Sequence, residues 1–198
     1  MSEDRDELLR IIKDEIMALK ESPLYAERIK NNVFPVIGEG SHYAEIVFIG
    51  EAPGKNEAAT GKPFCGASGR ILNELLASAS IDRADVYVTN IVKDRPPLNR
   101  DPLPGEIEIY GPFLDRQLEI IRPKTIATLG RFSMEYIMKR FGLESHLKPI
   151  SQMHGKVFET DASYGKVRIV PLYHPAVAIY NSNTKSVLKS DFRILKKS

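Results

Sequence analysis

Apolar residues along the chain fall into two rhythms. Leu8, Leu9, Ile12, Ile16 and Leu19 recur at three- and four-residue steps among charges, which predicts an amphipathic helix over residues 4–20, ended by Ser22-Pro23. The runs Ala44–Ile49, Val86–Val88 and Val167–Leu172 are instead short, rich in β-branched residues and not cleanly alternating, the pattern of strands covered on both faces. A fourth strand is expected at Thr125–Leu129, and the second is expected to extend over 85–92. Helical spacing returns over about 67–79, with Ile71, Leu72, Leu75 and Leu76 inward, and further helices are expected at about 105–121, 131–141 and 184–196. Residues up to about Tyr43 read as a loop, four prolines between Arg95 and Pro104 forbid regular structure, and a hairpin joins 156–160 to 166–172. Strands alternating with helices predict an α/β fold: a three-layer α/β/α sandwich with a mainly parallel four-stranded central sheet, in one domain spanning 1–198.

Composition narrows the chemistry only in part. The 198 residues carry a net charge of +2 from 28 basic and 26 acidic side chains, which excludes a polybasic arm but leaves room for a local basic groove. The single cysteine, Cys65, excludes a disulfide framework and any all-cysteine metal or cluster site, and fits a reducing cytoplasm. The charged N-terminal residues and the lack of any run near ~18 to 20 apolar residues predict a soluble, untargeted chain that does not enter a membrane. No Walker or dinucleotide fingerprint is present, so generic nucleotide binding is disfavoured.

Three short polar segments each follow an apolar run: Gly50-Glu51-Ala52-Pro53-Gly54, Thr89-Asn90-Ile91-Val92 and His174-Pro175-Ala176. Ligand groups in an open α/β sheet gather beyond the carboxyl ends of the strands. A carboxylate, a carboxamide and an imidazole are therefore expected in one pocket.

With Gly61-Lys62-Pro63-Phe64, Gly66, Gly69, Lys93, Arg95-Pro96-Pro97, Asn99-Arg100-Asp101-Pro102 and His174-Pro175, these segments resemble the uracil-DNA glycosylase superfamily, and within it the family 4 type. The resemblance covers about residues 33–180. It implies a DNA-repair enzyme that flips uracil out of DNA and hydrolyses its N-glycosidic bond, leaving an abasic site.

The same resemblance distributes roles. One carboxamide at Asn90 offers an acceptor and donors to match the N3 hydrogen and O4 of uracil. Phe64 is the stacking platform, with backbone near Gly61 and Gly66 able to approach the base. Gly50, Ala52 and Gly54 border the base, and Glu57 sits near its C5 edge, where with Gly54 it excludes the methyl of thymine. His174 donates to uracil O2 as negative charge develops there, and Glu51 positions the attacking water or offsets the cationic sugar. Lys62, Arg95, Arg100 and Lys185 are candidate phosphate contacts, and Val177 or Ile179 is a candidate wedge into the vacated base step. Each has an ordinary alternative: a strand-end asparagine, a core phenylalanine, a structural histidine, a solvated charge, an apolar residue packed in the core.

Family 4 enzymes hold a [4Fe–4S] cluster on four cysteines, at places that fall here near Leu19, Ser22, Asp94 and Tyr110. Those side chains cannot ligate iron–sulfur, so neither cluster nor other cofactor or metal is expected, and apolar packing of Leu19 and Tyr110 is expected to replace the tie it forms. No histidine lies in Arg95–Pro104, against covalent trapping of DNA, and no lysine is placed for Schiff-base strand cleavage. The expected partner is uracil-containing DNA, single- or double-stranded, acted on by a cytoplasmic, nucleoid-associated monomer. A glycosylase for another deaminated base such as hypoxanthine, or a catalytically silent module that binds damaged DNA, remains open.

Overall fold

The computed structural model describes residues 4–181 and 183–196. Helix α1 (Arg5–Met17) and a short α2 (Tyr25–Lys30) precede strands β1 (Glu39–Gly40) and β2 (Ile46–Gly50). Two helices follow, α3 (Lys55–Thr60) and α4 (Ala67–Ser78), then β3 (Tyr87–Asn90), α5 (Pro104–Ile121), β4 (Thr125–Leu129) and α6 (Arg131–Arg140). After α7 (Ile150–Met153), the hairpin β5 (Phe158–Ala162) and β6 (Gly165–Leu172) leads to α8 (Val177–Tyr180) and α9 (Thr184–Phe192).

The sheet runs β1-β3-β2-β4-β6-β5. Its four inner strands are mutually parallel, and they are the four that the apolar runs predict. The expected total of four is corrected to six, because β1 and β5 pair antiparallel on the two edges. Edge strand β1 has two exposed residues and no apolar pattern to betray it.

Alternation along the buried strands builds the outer layers. Val47 and Ile49 of β2 face Leu9, Ile12, Ile16, Leu114, Leu118 and Ile137 from α1, α5 and α6. Phe48 points the other way, into Leu72, Leu75, Leu76, Leu188 and Phe192 from α4 and α9. The chain passes from β2 to β3 on one side and then from β3, through α5, to β4 on the other side of β2, so β2 lies at a switch in strand order. Parallel register aligns Gly50 with Asn90 and Leu129 with Leu172, which brings the residues just beyond these strands to one edge of the sheet.

The N-terminal segment departs from expectation in how it is anchored. Helix α1 stops at Met17 rather than running to residue 20, and its last carbonyls, Ile16 and Met17, accept hydrogen bonds from the Arg28 guanidinium at 3.1 and 2.7 Å. Arg28 is carried by α2, within the stretch that reads as loop in the sequence. It also pairs with Asp94, the two side chains being 4% and 1% exposed. Asp94 accepts a further bond from the Tyr110 hydroxyl at 2.6 Å, which also lies 2.7 Å from Ser22 Oγ.

Three of the four positions where the resembled family carries cluster thiolates are thus occupied by one hydrogen-bonded polar network. Their hydroxyls and carboxylate already bond one another and Arg28, which does not fit an iron–sulfur cluster. Burial, reinforced by Asp94, holds the Tyr110 phenol above its ordinary pKa and so keeps it a donor. The expected apolar packing is present, Leu19 lying at the margin of the core and the Tyr110 ring fully buried within it, and a polar join through the Tyr110 hydroxyl, Asp94 and Arg28 is added between α1, α2, the segment after β3 and α5.

Candidate active site

A cleft of about 350 Å3 opens at the carboxyl edge of the parallel strands, lined by Glu51, Ala52, Gly54, Glu57, Phe64, Asn90, Arg100 and His174 together with Pro53, Ser68, Pro96, Asn99, Ala176 and Tyr180. Glu51 is the first residue past β2, Asn90 ends β3 and His174 lies two residues past β6, so the carboxylate, the carboxamide and the imidazole do share one pocket.

Close backbone approach forms the floor. A Cβ on Gly50 would sit 2.3 Å from Asn90 Oδ1 and 2.8 Å from Phe64 Cζ, so only glycine lets these side chains pack across β2. Phe64 itself has φ of +48°, and helix α4 presses so closely on it that a Cβ on Gly69 would sit 1.7 Å from the Phe64 carbonyl oxygen. Glu57, from α3, fixes the same loop by accepting from the backbone N–H groups of Cys65 and Gly66 at 3.1 and 2.9 Å. The Phe64 and His174 rings, both on the cleft lining, are in tilted contact, with centroids 5.7 Å apart at 32°.

Asn90 is buried but for its face to the cleft, and its backbone is clamped from below. Lys93 Nζ donates to the Asn90 carbonyl at 2.7 Å, to Thr89 Oγ1 at 2.8 Å and to Gln117 Oε1 at 2.6 Å, joining the end of β3 to α5. This buried lysine has oxygen partners for all three of its protons, a support that local sequence does not reveal.

Electrostatics separate the acid and the imidazole. Burial, aided by the Asp101 charge and opposed by Arg131, raises the Glu51 carboxyl above its ordinary value and leaves it a better base. Burial lowers the His174 pKa to about 4, against a weaker upward pull from Glu57, so the ring is neutral near pH 7. Its tautomer follows from one contact: the Ala176 backbone N–H points at His174 Nδ1 at 3.2 Å. A backbone N–H can only donate, so Nδ1 accepts and the proton resides on Nε2.

The outer candidates are placed unevenly. Arg100 lines the cleft but holds Glu106 in a bidentate pair at 2.6 and 2.9 Å. Arg95 lies beside the cleft with Nε on Asn99 Oδ1. Lys62 is exposed, 4.0 Å from Glu39, and Lys185 pairs with Glu74 across α9 and α4; neither lines the cleft. Val177 packs against the second core and Ile179 stands outside the lining, whereas Tyr180 of the same short helix lines the cleft and is 88% exposed. Among the described residues, no group of three or more His, Cys, Asp or Glu side chains could hold a metal ion, and no helix is long and apolar enough to cross a membrane.

A model of the uracil DNA glycosylase superfamily matches residues 37–195. The Type-4 uracil-DNA glycosylase of Archaeoglobus fulgidus is 44% identical over 191 residues, 96% of this chain and 91% of that protein. Those of Saccharolobus solfataricus and Sulfurisphaera tokodaii are 42% and 41% identical, over 96% and 93% of this chain and 86% and 82% of theirs.

Proposed function

The chain belongs to the uracil DNA glycosylase superfamily, and from that premise we propose that it is a monofunctional uracil-DNA glycosylase, removing uracil from DNA by hydrolysis of the N-glycosidic bond. The observation that carries the reading is the fixed Nε2–H tautomer of a neutral His174, in the same cleft as Glu51, Asn90 and Phe64.

In this reading the extruded base slides between Phe64 and its surroundings, where an aromatic face contributes about 1–3 kcal/mol of stacking. The Asn90 carboxamide meets N3–H and O4, the pattern that cytosine reverses, and the Lys93 clamp on its backbone keeps the reading edge in register. As the bond from C1′ to N1 breaks, the electron pair leaves with uracil, and its charge on O2 meets the His174 Nε2–H. Glu51, ionised, faces the cationic sugar and orients the water whose oxygen bonds to C1′; the water's other proton ends on the departing base. Glu57 supports the loop that carries Phe64, besides bordering the base.

No iron–sulfur cluster enters this chemistry, a view supported by the polar network at Ser22, Asp94 and Tyr110. The free thiol of Cys65 suits a reducing cytoplasm, and the cleft is complete within one chain, in keeping with a monomer. Single-turnover release of base from uracil-containing single- and double-stranded oligonucleotides tests the reading. Release by iron-free protein, lost in Asn90→Ala and His174→Ala, is expected. Release of hypoxanthine but not uracil, or DNA binding with no release at all, would refute it.

A further inference from the structure

The loop between β3 and α5 holds out a large apolar side chain that packing does not explain. Leu98 is 94% exposed, and its backbone lies at φ +56°, with Asn99 following at φ +55°. Two successive non-glycine residues in the left-handed region are sterically disfavoured and persist only where the surroundings impose them.

Here the surroundings are stiff. Pro96 and Pro97 restrict the backbone on one side. Arg95 Nε bonds Asn99 Oδ1 at 2.6 Å, the Asn99 and Arg100 amides return to the Pro96 and Pro97 carbonyls at 3.1 Å, and the Arg100 guanidinium is locked on buried Glu106. Pro96, Asn99 and Arg100 line the cleft, while Leu98 between them does not; it projects from the rim toward solvent. Tyr180 belongs to the wall itself.

We propose that Leu98 is the apolar wedge that enters the DNA base stack beside the cleft and fills the space of the extruded nucleotide. The proposal rests on the reading of the protein as an enzyme of uracil-containing DNA. A rigid apolar side chain with nothing to pack against in the free protein gains a partner when base faces replace water, and a preformed loop loses little conformational freedom on insertion. The site differs from the one the sequence pointed to, since Val177 is spent on the core and Ile179 is 45% exposed against 94% for Leu98.

Leu98→Ala and Leu98→Phe, both at an exposed position that leaves folding intact, provide the test. Single-turnover rates are measured for uracil paired with adenine in a duplex and for uracil in a single strand, with 2-aminopurine beside the uracil reporting unstacking on binding. Leu98→Ala should slow duplex excision by about tenfold or more, since unstacking a base step is costly, should fall far less on the single strand, and should lose the 2-aminopurine brightening; Leu98→Phe should restore it. A native ratio of duplex to single-strand rates with native brightening in Leu98→Ala would overturn the proposal. If the unsubstituted protein released no uracil from either substrate, the glycosylase reading would fail, and the 2-aminopurine signal would decide the wedge by itself.

Discussion

Replacing Asp94 by alanine should cost more stability than any exposed ion pair in this protein could account for. Arg28 and Asp94 are almost wholly buried, 66 positions apart in sequence, and among the described residues Asp94 is the one carboxylate the guanidinium contacts. Its removal strands a charge that cannot be neutralised and takes the acceptor 2.6 Å from the Tyr110 hydroxyl. Breaking a buried pair in this way costs about 3–5 kcal/mol. At about 2–4 °C per kcal/mol for a chain of this size, the melting temperature should fall by about 6–20 °C. The reverse variant, Arg28→Met, leaves a group that can escape by protonation. Burial, working against Tyr110 and Arg28, already raises the Asp94 carboxyl above its ordinary value, and loss of Arg28 raises it further. A folded pKa above the unfolded one favours the folded state at low pH and loses that advantage as pH rises through it. Arg28→Met should therefore be closer to native at pH 5 than at pH 8. The double variant Arg28→Met, Asp94→Leu should be less destabilised than the two single effects summed, since an apolar pair can occupy the space at little cost. Urea unfolding of iron-free protein at both pH values measures all four corners of the cycle. Asp94→Ala within about 0.5 kcal/mol of native, the range of an ordinary surface substitution, would refute the claim that this network holds the N-terminal segment to the body.

The other expectations concern the cleft. His174→Ala, which removes the donor to O2, should lower single-turnover excision by about 10²–10³-fold with little change in DNA affinity. Because burial takes the His174 pKa down to about 4 from 6.5, the native protein should lose stability as pH falls from 6.5 toward 4, and His174→Phe should flatten that loss in denaturant titrations. The acid limb of the excision rate should titrate above the ordinary glutamate value and vanish in Glu51→Gln, with a residual rate about 10²–10⁴-fold down. Gly50→Ala should displace Asn90 and Phe64 together and reduce kcat/KM by about 10²-fold, because errors near 1 Å in placement carry that penalty; native near-UV circular dichroism with unchanged kinetics would disprove the close-packing account.

How much of this was legible in the sequence depended on whether the signal was local. The four parallel strands announce themselves because burial on both faces leaves short, mostly apolar runs, as in Val47-Phe48-Ile49, and the helices α4, α5, α6 and α9 because their inward stripes span two turns or more. Strand β1 and helices α2 and α3 escape the same reading: two exposed residues have no pattern, and six-residue helices are too short to establish a period. The local pattern of helix α1 runs past its true end, since that end is set by Arg28, twelve residues from the Ile16 carbonyl it satisfies.

The site divides along the same line, with one consequence for how it works. Glu51, Asn90 and His174 could be grouped from sequence because each follows a strand and parallel register does the rest. Their chemical states could not, because those states come from contacts made elsewhere in the chain. The charge on Asp101 bears on Glu51, Lys93 reaches Asn90 together with Gln117 of α5, and Arg28 pairs with Asp94 from 66 positions away. Asp94 and Lys93 are adjacent, so the polar join at Asp94 and the clamp under Asn90 belong to one short segment after β3. Whatever fixes Asp94 therefore also bears on the end of β3 that carries Asn90. In this chain that role falls to a buried ion pair and a phenol, so the geometry at the end of β3 rests on hydrogen bonding.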